Sequence, residues 1–435
     1  MQTEEIAPKR RSQLVQAVPV YYGWIILVVG AIGIIMTSPG QTYVISVFID
    51  HFIDELGLSR GLVSTLYTIG TLSASFALPV IGRQLDKRGS RLMMTLTVIV
   101  FAFACVYMSF VRNAVMLGIG FFFLRMLGQG SLSLISRNVI NQWWVRRRGM
   151  VMGMVGVVTA LLGSGSFPGI VNALIPQYGW RITYILLGCV LMVVMLPISV
   201  IFVRNRPEEY GLAPDGASVA RGDTNKQNDN QTLEENWTLQ EVLNTPVFWL
   251  IIAGTASQSM LGTGLAFHIF SIFEDSGLSS TIAASVFLPI AATGAIVQLT
   301  GGYLIDRMPV RILLTMGLVL QSVTLIMAPS LFSIEIAYTY GVLSGIRTGL
   351  QAIVGSVIWA KYFGRQHLGS ITGFVATIGV ASSALGPMLF GVSRDWFGGY
   401  GGVLTISAIL PFLLAIATIL FVKPPKRKMT MPSSS

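Results

Sequence analysis

A chain of 435 residues is long enough for two or three soluble domains, but its composition excludes a soluble protein. Charged residues make up 11% of the chain and hydrophobic residues 53%, whereas an average soluble protein is about 25% charged. So few charged side chains cannot coat a soluble surface of that size, and the sequence predicts an integral membrane protein. Two cysteines and three histidines are too few for a disulfide framework or a multi-ligand metal site, so we expect no metal and no cofactor.

Twelve apolar segments are long enough to cross a bilayer, whose core of about 30 Å needs roughly 20 helical residues. Charge clusters and Gly or Pro residues bound them. They cover approximately residues 20–49, 59–82, 92–111, 114–138, 149–174, 181–203, 247–272, 280–304, 311–330, 334–359, 367–392 and 400–422. The predicted fold is therefore an all-α membrane protein with twelve transmembrane helices.

Positive charge predicts the orientation, because Lys and Arg accumulate on the cytoplasmic side of membrane proteins. Of the 29 Lys and Arg residues, 22 fall in the segments on the side shared by both termini. The opposite side carries four, namely Arg60, Arg112, Arg181 and Arg394. Both termini are therefore predicted to be cytoplasmic in a multi-pass protein of the cell membrane. The basic balance is an orientation signal and does not indicate a nucleic-acid partner.

A polar stretch divides the predicted helices six and six. The domains expected are a cytoplasmic N-terminal segment (1–18), a six-helix bundle (19–203), a cytoplasmic linker (204–246), a second six-helix bundle (247–422) and a cytoplasmic tail (423–435). The linker holds many charged and amide residues, so we expect its first part to be flexible. Near its end, Thr238 and Glu241 have the spacing of a capping box that opens a short helix.

The two halves repeat at an offset of 220 residues. Gly57-Leu58-Ser59 recurs as Gly277-Leu278-Ser279. The other repeated landmarks are Gly82, Asp86 and Arg91, which recur as Gly302, Asp306 and Arg311, and Gly149 with Gly153, which recur as Gly369 and Gly373. Six-plus-six helices in parallel repeats, with a long central loop, describe the major facilitator architecture.

The loop after the second predicted helix, with Gly82, Asp86, Arg88, Gly89 and Arg91, resembles the signature loop of the major facilitator superfamily. A closer resemblance is to the monocarboxylate transporter and oxalate/formate antiporter branch. The segments that carry it are Gly23-Trp24, the run from Trp143-Trp144 through Arg146, Arg147 and Arg148 to Gly153, and Trp237-Thr238-Leu239. The superfamily resemblance implies two bundles that rock around a central site. It also implies that Asp86, with Arg88 and Arg91, forms a cytoplasmic gate, of which Asp306 and Arg311 are the weaker copy.

No catalytic motif is present, so an enzyme is not expected. Beyond the first two positions of each predicted span, Arg125, Arg137 and Arg347 are the only charged residues inside the spans, and all 19 acidic residues lie in loops, termini or near span ends. A buried arginine is costly and normally faces a partner or a wet cavity. Without an intramembrane carboxylate, proton symport through a buried acid is not expected. Proton-linked transport would need His268, a protonated substrate, or an acid near a span end such as Asp50 or Glu335.

Polar residues at i+4 spacing form stripes in equivalent helices of the two halves. Arg125 is followed by Gln129, and Arg347 by Gln351; Tyr340 and Ser344 extend the second stripe. Thr255 and Ser259 in the seventh helix, and Gln41 in the first, complete the predicted site. Guanidinium binds carboxylate bidentately, so this set favours an anion. The alternative is that Arg125 and Arg347 bond helix carbonyls and stabilise packing.

The sequence also departs from the branch it resembles. Members are expected to carry charged residues in the eighth helix, and the antiporter a cation in the eleventh as well. Here the eighth helix has Gln298 and no charge, and the eleventh has no Lys or Arg before Arg394. Known substrate residues therefore cannot be transferred to this chain.

The sequence predicts a secondary or facilitative transporter of small organic anions, with monocarboxylates as the favoured class. Its expected surroundings are the anionic solute and the lipid bilayer, and a monomer is expected. Two alternatives stay open: a superfamily transporter of another solute, such as a drug-like or neutral metabolite, and a non-transporting membrane sensor. The sequence does not indicate symport, antiport or uniport.

Overall fold

The computed structural model describes residues 13–145, 147–216, 237–364 and 368–424. In these ranges every regular element is a helix. The membrane helices are α1 (Gly23–Leu56), α2 (Arg60–Arg88), α3 (Ser90–Met108), α4 (Ala114–Trp143), α5 and α6 (together Gly149–Ile201), α7 (Pro246–Asp275), α8 (Ser280–Leu299), α9 (Val310–Met327), α10 (Ile334–Phe363), α11 (Leu368–Phe397) and α12 (Gly401–Phe421).

The run Gly149–Ile201 is one apolar helical stretch of 53 residues, which is long enough for two membrane crossings. At about 1.5 Å per residue it would be roughly 80 Å long as a straight helix, far more than a bilayer core of about 30 Å. Gly179 breaks it with a φ of 77°, which a residue with a Cβ rarely adopts. With α5 before this glycine and α6 after it, the chain has the twelve-helix, two-bundle layout that the sequence predicted.

The repeated Gly-Leu-Ser motif ends one helix and begins the next in each half. Gly57 and Gly277 both have positive φ, at 62° and 78°, and follow the last residues of α1 and α7. Ser59 then accepts a hydrogen bond from the backbone N–H of Leu62, and Ser279 accepts one from Ile282. These are the C-terminal and N-terminal caps expected of a tight helix–helix turn.

The side of the membrane where α1 begins and α12 ends is called the terminal face here, and the other side the opposite face. Aromatic residues fasten the N-terminal bundle at the terminal face. Tyr21 donates to the Trp143 carbonyl, and the Trp144 indole donates to the Gly23 carbonyl. The tryptophan pair that carried the branch resemblance therefore joins the start of α1 to the end of α4.

The C-terminal bundle is joined to the linker in a similar way. The backbone N–H of Trp237 donates to the carbonyl of Phe363 at the end of α10. The predicted capping box is confirmed: Thr238 and Glu241 exchange side-chain and backbone hydrogen bonds at the start of the short helix Leu239–Leu243. The linker begins with two short 3₁₀ turns, Pro207–Tyr210 and Pro214–Gly216, and its residues 217–236 lie outside the described residues.

The helical ladder is interrupted near the middle of the membrane in α1 and α4. In α1 the 3₁₀ turn Ser38–Gly40 separates two α-helical parts, because Pro39 lacks a backbone donor and Gln41 is extended. In α4 the segment Arg125–Leu132 is a π-helix, a form that is often found at functional sites. The two irregular segments pack together, since a Cβ on Gly128 would lie only 2.9 Å from the Cα of Gly40.

Candidate functional site

A cavity of about 260 Å³ lies near the middle of the membrane, mostly inside the C-terminal bundle. Helices α7, α8 and α10 form its walls, and Thr42 of α1 is the contribution of the N-terminal bundle. Its lining is Thr42, Gln258, Ser259, Gly262, Thr263, Leu265, Ala266, Ile269, Phe287, Ile290, Tyr340, Ser344, Arg347, Thr348 and Gln351. The volume is just below the roughly 300–1,000 Å³ of drug-sized ligand sites, which suits a small solute.

The structure brings the predicted stripe of α10 into this cavity, because Tyr340, Ser344, Arg347 and Gln351 all line it. Arg347 is only 6% exposed and is the one charged residue among the described lining residues. Its Nη1 donates to Gln321 Oε1 at 2.9 Å, and its Nε has no hydrogen-bond partner within the protein. The guanidinium is thus fixed at one corner and retains unused hydrogen-bonding capacity.

Glycine at position 262 leaves room for this guanidinium. A Cβ there would lie 2.9 Å from Arg347 Nη1, which is too close for an unstrained contact. The position of the Arg347 guanidinium next to α7 therefore depends on the absence of a side chain at Gly262. Neither this glycine nor Gln321 was among the residues predicted from the sequence.

The structure gives Arg125 a different environment from that of Arg347. Arg125 is 3% exposed and has several protein partners. Its Nη1 donates to the Gly40 carbonyl at 3.1 Å and to Thr42 Oγ1 at 3.3 Å, and its Nε donates to Thr71 Oγ1 at 3.1 Å. Its guanidinium also lies 5.0 Å from the ring centre of Tyr67. Arg125 therefore satisfies the carbonyl that the break in α1 frees, as irregular backbone at membrane depth requires.

Thr42 connects the two arginine environments. Its hydroxyl lies 2.7 Å from the hydroxyl of Tyr67 and accepts from Arg125, while Thr42 itself lines the Arg347 cavity. Arg125 and Gln129 are not among the cavity residues; Gln129 is exposed, on the π-helical segment of α4. Gln41 donates to Thr37 within α1. The structure thus brings the α10 stripe and Ser259 together and leaves Arg125, Gln129 and Gln41 outside that group.

A second cavity of about 300 Å³ extends from the first toward the terminal face. The two share Ser259 and Gln351, and the second adds Thr255, Trp359 and residues of α11. Ser259 donates to the Gly379 carbonyl of α11, and Thr255 donates to carbonyls of its own helix. The shared residues make the two cavities neighbours, and the second lies between Arg347 and the terminal face.

The opposite face is closed by contacts between the two bundles. The backbone N–H of Gly61 in α2 donates to Asp395 in α11 at 2.8 Å, and Thr68 donates to the Ala384 carbonyl at 2.6 Å. Gly391 of α11 packs so closely on Ser64 of α2 that a Cβ would collide with its hydroxyl. Solute in the Arg347 cavity is therefore separated from the opposite face.

His268 lies within this closed region and is 1% exposed. Its Nε2 donates to the Pro387 carbonyl at 2.9 Å, so in the neutral ring Nδ1 accepts from the Tyr400 hydroxyl at 3.0 Å. Burial raises the pKa of Tyr400 to about 12, so this phenol stays protonated at physiological pH. Both ring nitrogens of His268 are used in packing contacts.

The acids named as possible proton sites near span ends are not in the cavity. Asp50 forms an ion pair with Arg60 near the opposite face. Glu335 lies in the first turn of α10 and is exposed. Among the described residues there is no group of three or more His, Cys, Asp or Glu side chains that could hold a metal ion.

The predicted gate residues lie at the terminal face. Asp86 is exposed and lines a cavity of about 710 Å³ between the end of α2 and the segment after α6. It forms no ion pair with any other described residue. Arg91 forms hydrogen bonds within the N-terminal bundle. Its Nε donates to the Val200 carbonyl, and its backbone N–H donates to Asn205. Arg88 is exposed and Arg311 half-buried, whereas the side chain of Asp306 lies outside the described part of the chain.

Polar residues near the arginines that were missed from the sequence include Gln258 on α7, Gln321 on α9 and Thr71 on α2. Each lies in the middle of a predicted span and makes or offers hydrogen bonds to neighbouring helices. A mid-membrane amide or hydroxyl is a known means of interhelical hydrogen bonding. That signal is present in the sequence, but these residues lie outside the polar stripes that define the predicted site.

The family model of the Major Facilitator Superfamily matches residues 30–335 and 291–434. The chain belongs to this superfamily and is a transporter, not an enzyme. It is 23% identical over 397 residues to the hexuronate transporter of Bacillus subtilis, covering 85% of this chain and 88% of that one. It is 23% identical over 366 residues to the benzoate transport protein of Acinetobacter baylyi, covering 77% and 75%.

The fold is also that of a solved transporter structure. A bacterial homolog of the human lysosomal transporter Spinster, in an inward-facing and occupied conformation, superposes with a TM-score of 0.63 at 18% sequence identity. The match covers 95% of each chain. This similarity establishes the fold alone.

Proposed function

We propose that this superfamily member carries small organic anions, above all monocarboxylates, across the cell membrane by alternating access. The single observation that carries the proposal is Arg347. It is a buried guanidinium with an unpartnered Nε, it lines a small mid-membrane cavity, and no acidic side chain lines that cavity among the described residues. A permanently charged group in that position favours an anion, and a carboxylate matches its planar donors.

Two relatives support the class of solute. The hexuronate and benzoate proteins are named for carboxylates, one hydroxylated and one aromatic. They differ in the rest of the molecule, so the carboxylate is the chemical feature that their substrates share. In the proposal this carboxylate binds Arg347, with Gln351 and Ser344 beside it.

Alternating access is supported by the unequal closure of the two faces. The contacts between α2 and α11 close the opposite face, whereas the paired cavities lead toward the terminal face. The distribution of Lys and Arg favours a cytoplasmic terminal face. We therefore infer an inward-open state, in which Asp86 makes no ion pair with another described residue. The gate formed by Asp86, Arg88 and Arg91, with Asp306 and Arg311 as its weaker copy, would close when the outside opens.

The proposal predicts that Arg347→Lys impairs carboxylate binding although the charge is kept, because a single ammonium cannot replace two parallel guanidinium bonds. We expect the affinity to fall at least about tenfold, which corresponds to roughly 1.4 kcal/mol. The measurement is ligand-induced thermal stabilisation of the purified, folded variant. Arg112→Lys, in an exposed loop, is the matched control and should bind as the wild type does.

Unchanged carboxylate affinity in Arg347→Lys would remove Arg347 from the site and, with it, most of the case for an anion. Stabilisation of the wild type by a neutral or drug-like solute, with no response to carboxylates, would favour the alternative of a transporter for another solute. A loss of thermal stability in Arg347→Lys without a change in affinity would assign Arg347 to packing.

A further inference from the structure

Four buried polar atoms at or near Arg347 have no hydrogen-bond partner within the protein. They are Arg347 Nε, Gln321 Nε2, Gln258 Oε1 and Ser344 Oγ. Gln258 and Gln321 are 2% and 0% exposed. Buried polar atoms are nearly always hydrogen-bonded in native proteins, so a group of four next to a ligand cavity calls for an explanation.

The unpartnered atoms differ in what they need. Arg347 Nε and Gln321 Nε2 are donors, and the orientation of the Gln321 amide follows from its Oε1 accepting from Arg347. Gln258 Oε1 is an acceptor and needs a hydrogen. An ionised carboxylate has only acceptor oxygens, so it can satisfy Arg347 Nε and the Ser344 hydroxyl but cannot supply a hydrogen to Gln258 Oε1.

The hydroxyl groups that line the cavity also include acceptor oxygens that need a hydrogen from the ligand. Ser259 uses its hydrogen in a bond to the Gly379 carbonyl, and Thr348 uses its hydrogen in a bond to the Gly345 carbonyl. The oxygen atoms of both residues therefore remain available as acceptors. Together with Gln258, they give the terminal-face half of the cavity several acceptors for which the carboxylate supplies no hydrogen.

We propose that the ligand of this site is a hydroxylated monocarboxylate, whose carboxylate binds Arg347 and whose hydroxyl groups donate to Gln258, Ser259 and Thr348. This inference rests on the proposed function, because it assumes that Arg347 holds a carboxylate. One cation among the described lining residues sets the ligand charge at minus one. Leu265, Ile269 and Phe287 cover the other end of the cavity and would pack against the carbon skeleton.

An apolar carboxylate is the competing ligand. It would dehydrate the acceptors of Gln258, Ser259 and Thr348 without replacing their hydrogen bonds. Sites built to bond a substrate hydroxyl discriminate strongly against analogues that lack it, because their buried polar groups are then left unpaired. Gln258 is accordingly the residue expected to set this preference.

The test compares carboxylates that are matched in chain length or in ring size. Gluconate is compared with hexanoate as the linear pair, and glucuronate with cyclohexanecarboxylate as the ring pair, by thermal stabilisation and calorimetry on the full-length wild type. We expect the hydroxylated member of at least one pair to bind at least about tenfold more tightly, the equivalent of one hydrogen bond. This comparison needs no variant and so does not depend on a mutant folding.

A variant then tests the assignment to Gln258. Gln258→Leu should lower the affinity for the hydroxylated acid about tenfold and leave that for its apolar partner nearly unchanged. Gln298→Leu, which changes an exposed glutamine of α8 outside the cavity lining, should leave both unchanged.

The outcomes separate the two proposals. If the apolar acids bind as tightly as the hydroxylated ones, and Arg347→Lys still weakens both, the proposed function stands and the hydroxyl inference is overturned. Equal losses for both ligands in Gln258→Leu overturn the assignment of the hydroxyl contact to Gln258. If none of the four acids binds the wild type, the organic-anion proposal fails and the inference fails with it.

Discussion

The two mid-membrane arginines occupy equivalent helices of the two halves but differ in how fully they are hydrogen-bonded. Arg125 donates to a backbone carbonyl and two threonine hydroxyls, whereas Arg347 has one amide partner. An arginine whose donors are already used within the protein has little left for a ligand. At the residue scale, Arg125 fits a structural role and Arg347 a binding role.

This difference predicts opposite behaviour for Arg125→Gln and Arg347→Gln. Arg125→Gln should leave the Gly40 carbonyl and Thr71 without their partner, at a cost of about 1–3 kcal/mol for each buried group. The melting temperature of the ligand-free protein should fall, while the folded fraction keeps its carboxylate affinity. Arg347→Gln should instead lose affinity, with a smaller change in the melting temperature.

The measurement is a melting curve for each purified variant, with and without a saturating carboxylate. If Arg125→Gln keeps the wild-type melting temperature and loses affinity, Arg125 contacts the solute as the sequence predicted, and the role assigned from its hydrogen bonds is wrong.

At the scale of the helices, the sequence predicted the number of crossings and the duplicated layout, because both depend on apolar length and on repeated spacing. It did not predict the interruptions in α1 and α4. The i+4 rule assumes a regular α-helix, and Arg125 and Gln129 lie on a π-helical segment. Pro39 and Gly40 are the residues that account for the break in α1. The break presents the Gly40 carbonyl to Arg125, and this role depends on the packing of α1 against α4.

The candidate site also has a part that the sequence predicted and a part that it did not. Tyr340, Ser344, Arg347 and Gln351 were found together because one regular helix places them on one face. Gln258, Gln321 and Thr42 come from three other helices, and no local period relates them to Arg347. Their grouping is a property of the bundle and not of any single segment.

The packing of α2 on α11 gives a prediction about the equilibrium between the two open states. Gly391→Ala should push α11 away from Ser64, weaken closure at the opposite face and favour the state open to that side. Asp86→Asn should act in the other direction, because the proposed gate at the terminal face would lose its charge. Gly373→Ala, on α11 with open space beside it, is the control for helix propensity.

The readout is a cysteine at Thr68, which is 3% exposed in this structure. Cys105 and Cys189 are replaced beforehand, and a membrane-impermeant thiol reagent is added from the opposite face. Labelling should increase in Gly391→Ala and decrease in Asp86→Asn, with Gly373→Ala close to the reference. Equal labelling in all four proteins would mean that neither contact controls which face is open.

At the scale of the whole molecule, the single guanidinium in the central cavity should make part of the transport cycle sensitive to the membrane potential. An empty carrier reorients with a positive charge at that site, and a carrier loaded with a monoanion reorients with none. A full elementary charge moved through a membrane potential is worth about 2.3 kcal/mol per 100 mV. The voltage should therefore act on the return of the empty carrier, and an interior-negative potential should hold the empty site facing inward. In proteoliposomes with imposed potassium diffusion potentials, net uptake should depend on voltage and anion-for-anion exchange should not. Equal voltage dependence of the two fluxes would show that the Arg347 charge does not cross the field during the cycle.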